Sequence, residues 1–110
     1  PCIGRCHYEV GEEVYAAFAR LLRSKDAVSD IDRYVPVFPS CSMGGKRHAD
    51  LAGINRALLE YSGVPSGNIE VSGFCTCCKT DEKTGEKLFF SHRASGGFSG
   101  TFASVICARK

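Results

Sequence analysis

No apolar run in this 110-residue sequence approaches the roughly 20 residues that span a bilayer, so a membrane partner is not expected. No basic-then-apolar leader opens the chain, and nothing points to secretion. Charge of one sign is not clustered. The 14 Lys and Arg and 12 Asp and Glu are spread along the chain, and a net charge of +2 without a basic stripe leaves no footprint for nucleic acid. Internal repeats and low-complexity tails are missing. So is a second Cys-x-x-Cys at the spacing of a paired zinc site.

Cysteine, in contrast, is abundant. The seven are an odd number, and the adjacent Cys77 and Cys78 are poorly placed for ordinary bridges. A secreted disulfide scaffold is therefore not expected; seven reduced thiols in a cytoplasmic, reducing compartment are. The apolar fraction of 44% is ordinary for a globular chain. At this length one domain, or part of one, buries about two thirds of its unfolded surface. The first residues, from Pro1 to Val10, read as a domain interior, so the expectation is a fragment or processed piece: the C-terminal part of a larger domain.

Helical spacing runs from Glu9 to about Arg23. Val10, Val14, Phe18, Leu21 and Leu22 recur at three- and four-residue steps, opposite Glu12, Glu13 and Arg20. Acidic residues at the start and Arg20 and Arg23 at the end suit the helix dipole. Ser24–Asp32 is polar and reads as a loop. Tyr34–Phe38 is apolar but interrupted by Pro36 and closed by Pro39, which fits an edge strand or an extended loop. Ser40–Lys46 reads as a flexible connection. A second helix is expected from Asp50 to Tyr61, with Leu51, Ile54, Leu58 and Leu59 on its apolar face, Asp50 as N-cap and Gly63 as stop. Strands are expected at Asn68–Ser72, Leu88–Arg93 and Thr101–Ala108, the last apolar on both faces. This predicts an α+β fold: a mixed β-sheet with two amphipathic helices packed on it.

The chemistry gathers in Ser72–Gly100. Two apolar segments, Val71–Cys78 and Leu88–Arg93, flank the polar connector Thr80–Lys87 and read as two strands joined by a solvated loop. Arg93 precedes a turn in which Gly97 and Gly100 let backbone N–H groups approach an anion. A planar, permanently charged guanidinium suits phosphate or carboxylate; a surface ion pair is the competing role. His92 is a further candidate for substrate contact, set against an ordinary packed strand histidine.

Cys75-x-x-Cys78 has zinc-knuckle spacing, and Cys2-x-x-x-Cys6 with His7 offers a second half-site. Against this, free cysteine is among the most buried residue types, and these four serve equally well as small apolar residues. The packing role is favoured, and no metal is expected in this chain. A redox Cys-x-x-Cys would want a helix N-terminus, and this one follows a strand. For a nucleophilic Cys–His pair, the thiols at 75, 77 and 78 have His7, His48 or His92 as partners, and sequence alone does not pair them. No catalytic residue is assigned to this chain.

Taken in order, these motifs resemble the laccase-domain proteins of the YfiH type, first described as multicopper polyphenol oxidases and later linked to purine nucleoside metabolism. The likeness is to the family's C-terminal half and covers nearly the whole chain. Pro1-Cys2-Ile3-Gly4 resembles its Gly-Pro-x-Ile-Gly turn, begun one residue late, and Tyr8-Glu9-Val10 follows. Asp50-Leu51 with Asn55 and Leu59, then Gly63-Val64, resemble its second helix. Cys75-Thr76-x-Cys78 and Phe89-Phe90-Ser91-His92-Arg93 resemble its C-terminal signature. Two places depart from the pattern. A second Arg and an acidic residue usually follow the first Arg, where this chain has Ala94 and Ser95. Gly-Arg usually follows the turn, where it has Gly100-Thr101.

The resemblance implies a layered α/β/β/α fold of which this chain supplies about half. It implies zinc or copper held upstream by a His, Cys and His set in the N-terminal half, outside this chain. It also implies phosphorolysis of adenosine, inosine or methylthioadenosine, and deamination of adenosine. The parent's partners would be nucleoside and phosphate; this chain's partner would be the N-terminal half, without which it is expected to be inactive. Laccase-like oxidation of phenols is the alternative within the family. A non-catalytic zinc-binding module on Cys2, Cys6, Cys75 and Cys78 is the alternative outside it.

Overall fold

Gly11 divides the first apolar-periodic stretch in two. Its backbone is extended (φ −81°, ψ 172°), so Glu9–Val10 runs as strand β1 and helix α1 occupies Glu12–Arg23. The expected helix is present but starts later than its spacing predicted. Ala19 and Leu22 are buried on its inner face, while Leu21, expected there, is 40% exposed. The computed structural model describes residues 2–25, 30–38, 45–98, 100–101, 103–105 and 107.

Two further strands follow, β2 at Val37–Phe38 and β3 at Lys46–His48. Together they form a three-stranded antiparallel sheet in the order β1-β3-β2. Arg47 stands opposite Val10 on one side and Val37 on the other. Strand β2 lies at the sheet edge, where the preceding Pro36 is tolerated. Strand β3 begins inside the stretch expected to be a flexible connection; residues 40–44 of that stretch lie outside the described residues. Its three polar residues carry no alternation that would have marked a strand.

Helix α2 spans Leu51–Tyr61, as the capping residues predicted. The Asp50 carboxylate accepts the Gly53 N–H at 2.9 Å, and Gly63, at φ +93°, follows the last turn in the left-handed region. Ile54 and Ala57 are buried. The core joins α1, the sheet and α2 through Ala19, Leu22, Ile31, Val35, Ala49 and Ile54, with Tyr8, Val10, Tyr15, Phe18, Tyr34 and Leu58 packed around them. The fold is therefore α+β, as expected.

Among the described residues beyond 62, the expected strands do not form. Ser66–Asn68 is a single 3-10 turn, and 69–72 continues as extended chain without a ladder. Instead of ending a strand, His92 opens a short helical turn, α3 (His92–Ser95). The Ser91 hydroxyl caps it by accepting the Ala94 N–H at 3.3 Å. Residues 101, 103–105 and 107 lie in no strand; Phe102, Ile106 and Ala108 of that predicted strand lie outside the described residues. An extended segment becomes a strand only beside a pairing neighbour. Among the described residues after 62 the pairing amounts to two isolated bridges, a parallel one between Cys2 and Cys75 and an antiparallel one between Thr80 and Lys87. The Thr80–Lys87 bridge closes the polar connector into the loop its composition predicted. No helix among the described residues is long and apolar enough to cross a membrane.

Candidate functional site

Two tight turns meet at the site. In the first, the Gly4 carbonyl accepts the His7 and Tyr8 N–H groups at 3.0 and 3.1 Å, which presents Cys6 and His7 side by side. In the second, the Cys75 carbonyl accepts the Lys79 N–H at 2.9 Å, coiling 76–78 so that Cys75 and Cys78 come together. Backbone pairing joins the turns: Cys2 bridges Cys75 in parallel, and the Thr76 N–H donates to the Cys2 carbonyl at 3.2 Å. A Cβ on Gly4 would stand 2.9 Å from Cys75 Cβ, so only glycine allows this approach.

The result is a cluster of Cys6, His7, Cys75 and Cys78 whose donor atoms all lie within 4.8 Å of one another. Cys6 Sγ is 3.8 Å from Cys78 Sγ and 3.2 Å from His7 Nδ1. His7 Nδ1 is 3.9 Å from Cys75 Sγ. The sequence spacing put Cys2 with Cys6, Cys75 and Cys78; the structure brings the last three together with His7 as the fourth donor, and Cys2 joins through its backbone. Cys77 is buried outside the group, where the small-apolar role fits it.

Two sulfurs in the cluster titrate in opposite directions. Burial works against the Cys75 thiolate, but N–H groups of Gly4, Cys77 and Cys78 and the Cys6 thiol outweigh it and bring Cys75 down to about 6. Burial, then hydrogen bonding to Cys75 and Cys78, pushes Cys6 up to about 12. The negative charge therefore settles on Cys75, with Cys6 keeping its proton beside it.

Arg93 lines an open cavity of about 510 Å³ with Cys6, His7, Glu9, His48, Cys77, Lys87 and Ala94. Its Nη1 donates to the Glu9 carbonyl at 3.4 Å, and its guanidinium lies 5.8 Å from the Tyr8 ring. The nearby Glu9 carboxylate is held by Lys46 at 2.7 Å, which keeps it below the ordinary carboxylate range. Among the described residues Arg93 enters no ion pair. Lys87 reaches the Cys77 carbonyl at 3.1 Å, and His48 Nδ1 lies 2.8 Å from the Arg5 carbonyl oxygen.

His92 is exposed at the start of α3 and does not line this cavity. Gly96 and Gly97, both at positive φ, end the helical turn, and both their N–H groups donate to the His92 carbonyl. Gly100 lies under the Phe90 ring, where a Cβ would meet ring atoms at 2.8 Å. The glycines thus shape the turn, and Arg93 is the group it offers to the cavity. Lys87 carried no signal in the sequence, because only the Thr80–Lys87 bridge brings it here; the sequence offered His48 as a possible thiol partner, and strand β3 places it at this cavity. His7 did carry a signal, its place beside Cys6.

A family model described as multi-copper polyphenol oxidoreductase laccase matches residues 1–109. A purine nucleoside phosphorylase of Bacteroides thetaiotaomicron is 36% identical over 110 residues, covering 100% of this chain and 35% of the relative. An adenosine deaminase from an unknown prokaryotic organism is 39% identical over 106 residues, 96% of this chain and 35% of the relative. A purine nucleoside phosphorylase of Deinococcus radiodurans is 36% identical over 99 residues, 90% of this chain and 30% of the relative. The chain spans about a third of the length of these relatives. No solved structure gives a significant match. With the family pattern matched from its first residue to its last but one, the chain belongs to the multi-copper polyphenol oxidoreductase laccase family, the YfiH-type laccase-domain proteins.

Proposed function

We propose that this chain is the C-terminal part of a purine nucleoside-processing enzyme and one portion of a larger domain. The reactions are phosphorolysis of adenosine, inosine or methylthioadenosine and deamination of adenosine, with zinc or copper held upstream by a His, Cys and His set. The names of its relatives support the substrate class. A reducing, cytoplasmic setting is part of the proposal and rests on the odd number of cysteines and the adjacent Cys77 and Cys78.

The observation that carries the reading to particular residues is the cavity in which Arg93 stands with Lys87 and His48. In phosphorolysis, phosphate attacks the ribose anomeric carbon as the purine leaves. A guanidinium with no carboxylate bound, beside an ammonium, suits that anion. The cations usual after the first Arg and after the turn are Ala94 and Thr101 here, which concentrates anion recognition on Arg93.

A charge-assisted contact of this kind is worth about 1.5–3 kcal/mol. Arg93→Ala in the longer protein is therefore expected to raise the phosphate KM or lower turnover by about tenfold to a hundredfold. Arg93→Lys should recover only part of the loss, because an ammonium lacks the planar fork. Unchanged phosphorolysis kinetics with a melting temperature lowered by many degrees would make Arg93 a structural residue and overturn the assignment. The family's oxidase description supplies the rival reading, and oxidation of phenols without nucleoside turnover would favour it.

A further inference from the structure

Cys6, His7, Cys75 and Cys78 have no task in the nucleoside chemistry above, yet backbone pairing and a glycine bring them to one point. We infer that these four side chains form a structural zinc site that clamps the N-terminal turn to the cysteine turn.

The donor set and its spacing carry the inference. Tetrahedral zinc, with Zn–S of about 2.3 Å and Zn–N of about 2.0 Å, sets sulfurs about 3.8 Å apart and a sulfur about 3.5 Å from a nitrogen. Here Cys6 and Cys78 sulfurs stand 3.8 Å apart, and His7 Nδ1 is 3.2 and 3.9 Å from the Cys6 and Cys75 sulfurs. Three thiols and an imidazole suit zinc and exclude hard cations such as magnesium and calcium.

The surroundings are also those of a built site. Cys75 is buried and accepts the Gly4 N–H at 3.1 Å, with further N–H donors from Cys77 and Cys78. Such outer donors orient a ligating sulfur. Cys6, His7 and Cys78 approach from the exposed side, which leaves a path for the ion. Lys87 and Arg93 border the same cavity as Cys6 and His7, and their charge offsets the net negative charge of three thiolates and one zinc. Four protein donors fill the tetrahedron, so no position remains for substrate or water and the ion's role is structural. This set of three sulfurs and one nitrogen is also distinct from the His, Cys and His set implied upstream.

The test is metal content of the full 110-residue chain, produced in zinc-supplemented medium and dialysed without chelator. One zinc per chain is expected, with Cys2→Ser and Cys107→Ser retaining it and Cys6→Ser and Cys78→Ser losing it. Chelator should lower the melting temperature of the wild-type chain and leave that of Cys78→Ser unchanged. Because variants at buried Cys75 risk unfolding, cobalt(II) in the wild-type chain provides the second readout. Thiolate-to-cobalt charge-transfer bands with tetrahedral ligand-field bands are expected, and His7→Gln should shift them. A cobalt spectrum of an oxygen-ligated octahedral ion overturns the inference. So do zinc retained by the Cys6→Ser/Cys78→Ser double variant, copper(I) bound in place of zinc, and a Cys6–Cys78 disulfide in the chain as purified. None of these measurements involves a nucleoside, so their failure leaves the proposed enzyme activity standing, and the reverse.

Discussion

Arg47 shows how one side chain holds this small fold. From the central strand it donates to Glu12 at 2.9 Å, to Asp32 at 3.0 Å and to the Val35 carbonyl at 3.1 Å, and its guanidinium stacks 3.8 Å over the Tyr15 ring. Burial works against its charge, but Glu12 and Asp32 outweigh this and raise its proton affinity. Both carboxylates are largely exposed, at 77% and 63%, so water and salt screen those pairs. The ring contact and the bond to Val35 contribute more. Arg47→Met, which keeps the stem, should cost about 1–2 kcal/mol by urea denaturation, and Arg47→Lys should recover little of it. A loss unchanged between low and high salt would confirm that the screened pairs matter least. Nothing in the run Lys46-Arg47-His48 announced this role, because its partners come from α1, the turn at 31–33 and the sheet.

Among the elements, helix α2 was legible in the sequence because its cap, apolar face and glycine stop are all local. The body of α1 was legible for the same reason, though Gly11 moved its start. Strand β3 was not, since its pairing depends on neighbours distant in the chain. The segments 69–72 and 88–91 had strand composition but no ladder to join. At the site, the sequence favoured a packing role for Cys2, Cys6, Cys75 and Cys78, and the structure brings Cys6, Cys75 and Cys78 together with His7 because the turn at Gly4 sets Cys6 and His7 side by side. The connector loop was legible as a loop, and its chemistry gives a pH prediction. The Asp81 carboxylate accepts the Thr84 N–H at 2.8 Å and the Lys83 N–H at 2.9 Å, which holds it below the ordinary carboxylate range. A carboxyl depressed by folding stabilises the loop above its unfolded value and stops doing so as pH falls through the folded one. The Lys83 and Thr84 amide signals should therefore move together as pH falls below about 4. Asp81→Asn, still an acceptor, should abolish that movement and keep the loop. Lys83 and Thr84 signals that titrate separately, or that move just as much in Asp81→Asn, would contradict this assignment.

At the scale of the whole molecule, surface is in excess. The chain exposes 8213 Å², where a folded monomer of 11.9 kDa exposes about 5,900 Å². Its radius of gyration is 15.8 Å, against about 13 Å for a compact domain of this length. Large apolar side chains after residue 70 stand in water: Val71, Phe74, Leu88 and Phe90 are about half exposed, and Phe98 and Val105 are 87% and 88% exposed. Apolar side chains left in water favour association. The proposed remainder of the enzyme is the natural cover, because the relatives are about three times as long as the matched region. The isolated chain should bind a hydrophobic dye and self-associate as its concentration rises, and the longer protein should do neither; a strictly monomeric, dye-free chain would contradict the shared-fold reading. The decisive measurement is release of free base from inosine with phosphate, followed by chromatography for the isolated 110-residue chain and for the longer protein. The expected result is no release above background by the chain alone and turnover by the longer protein; turnover by the chain alone at about 1 per second or more would contradict it.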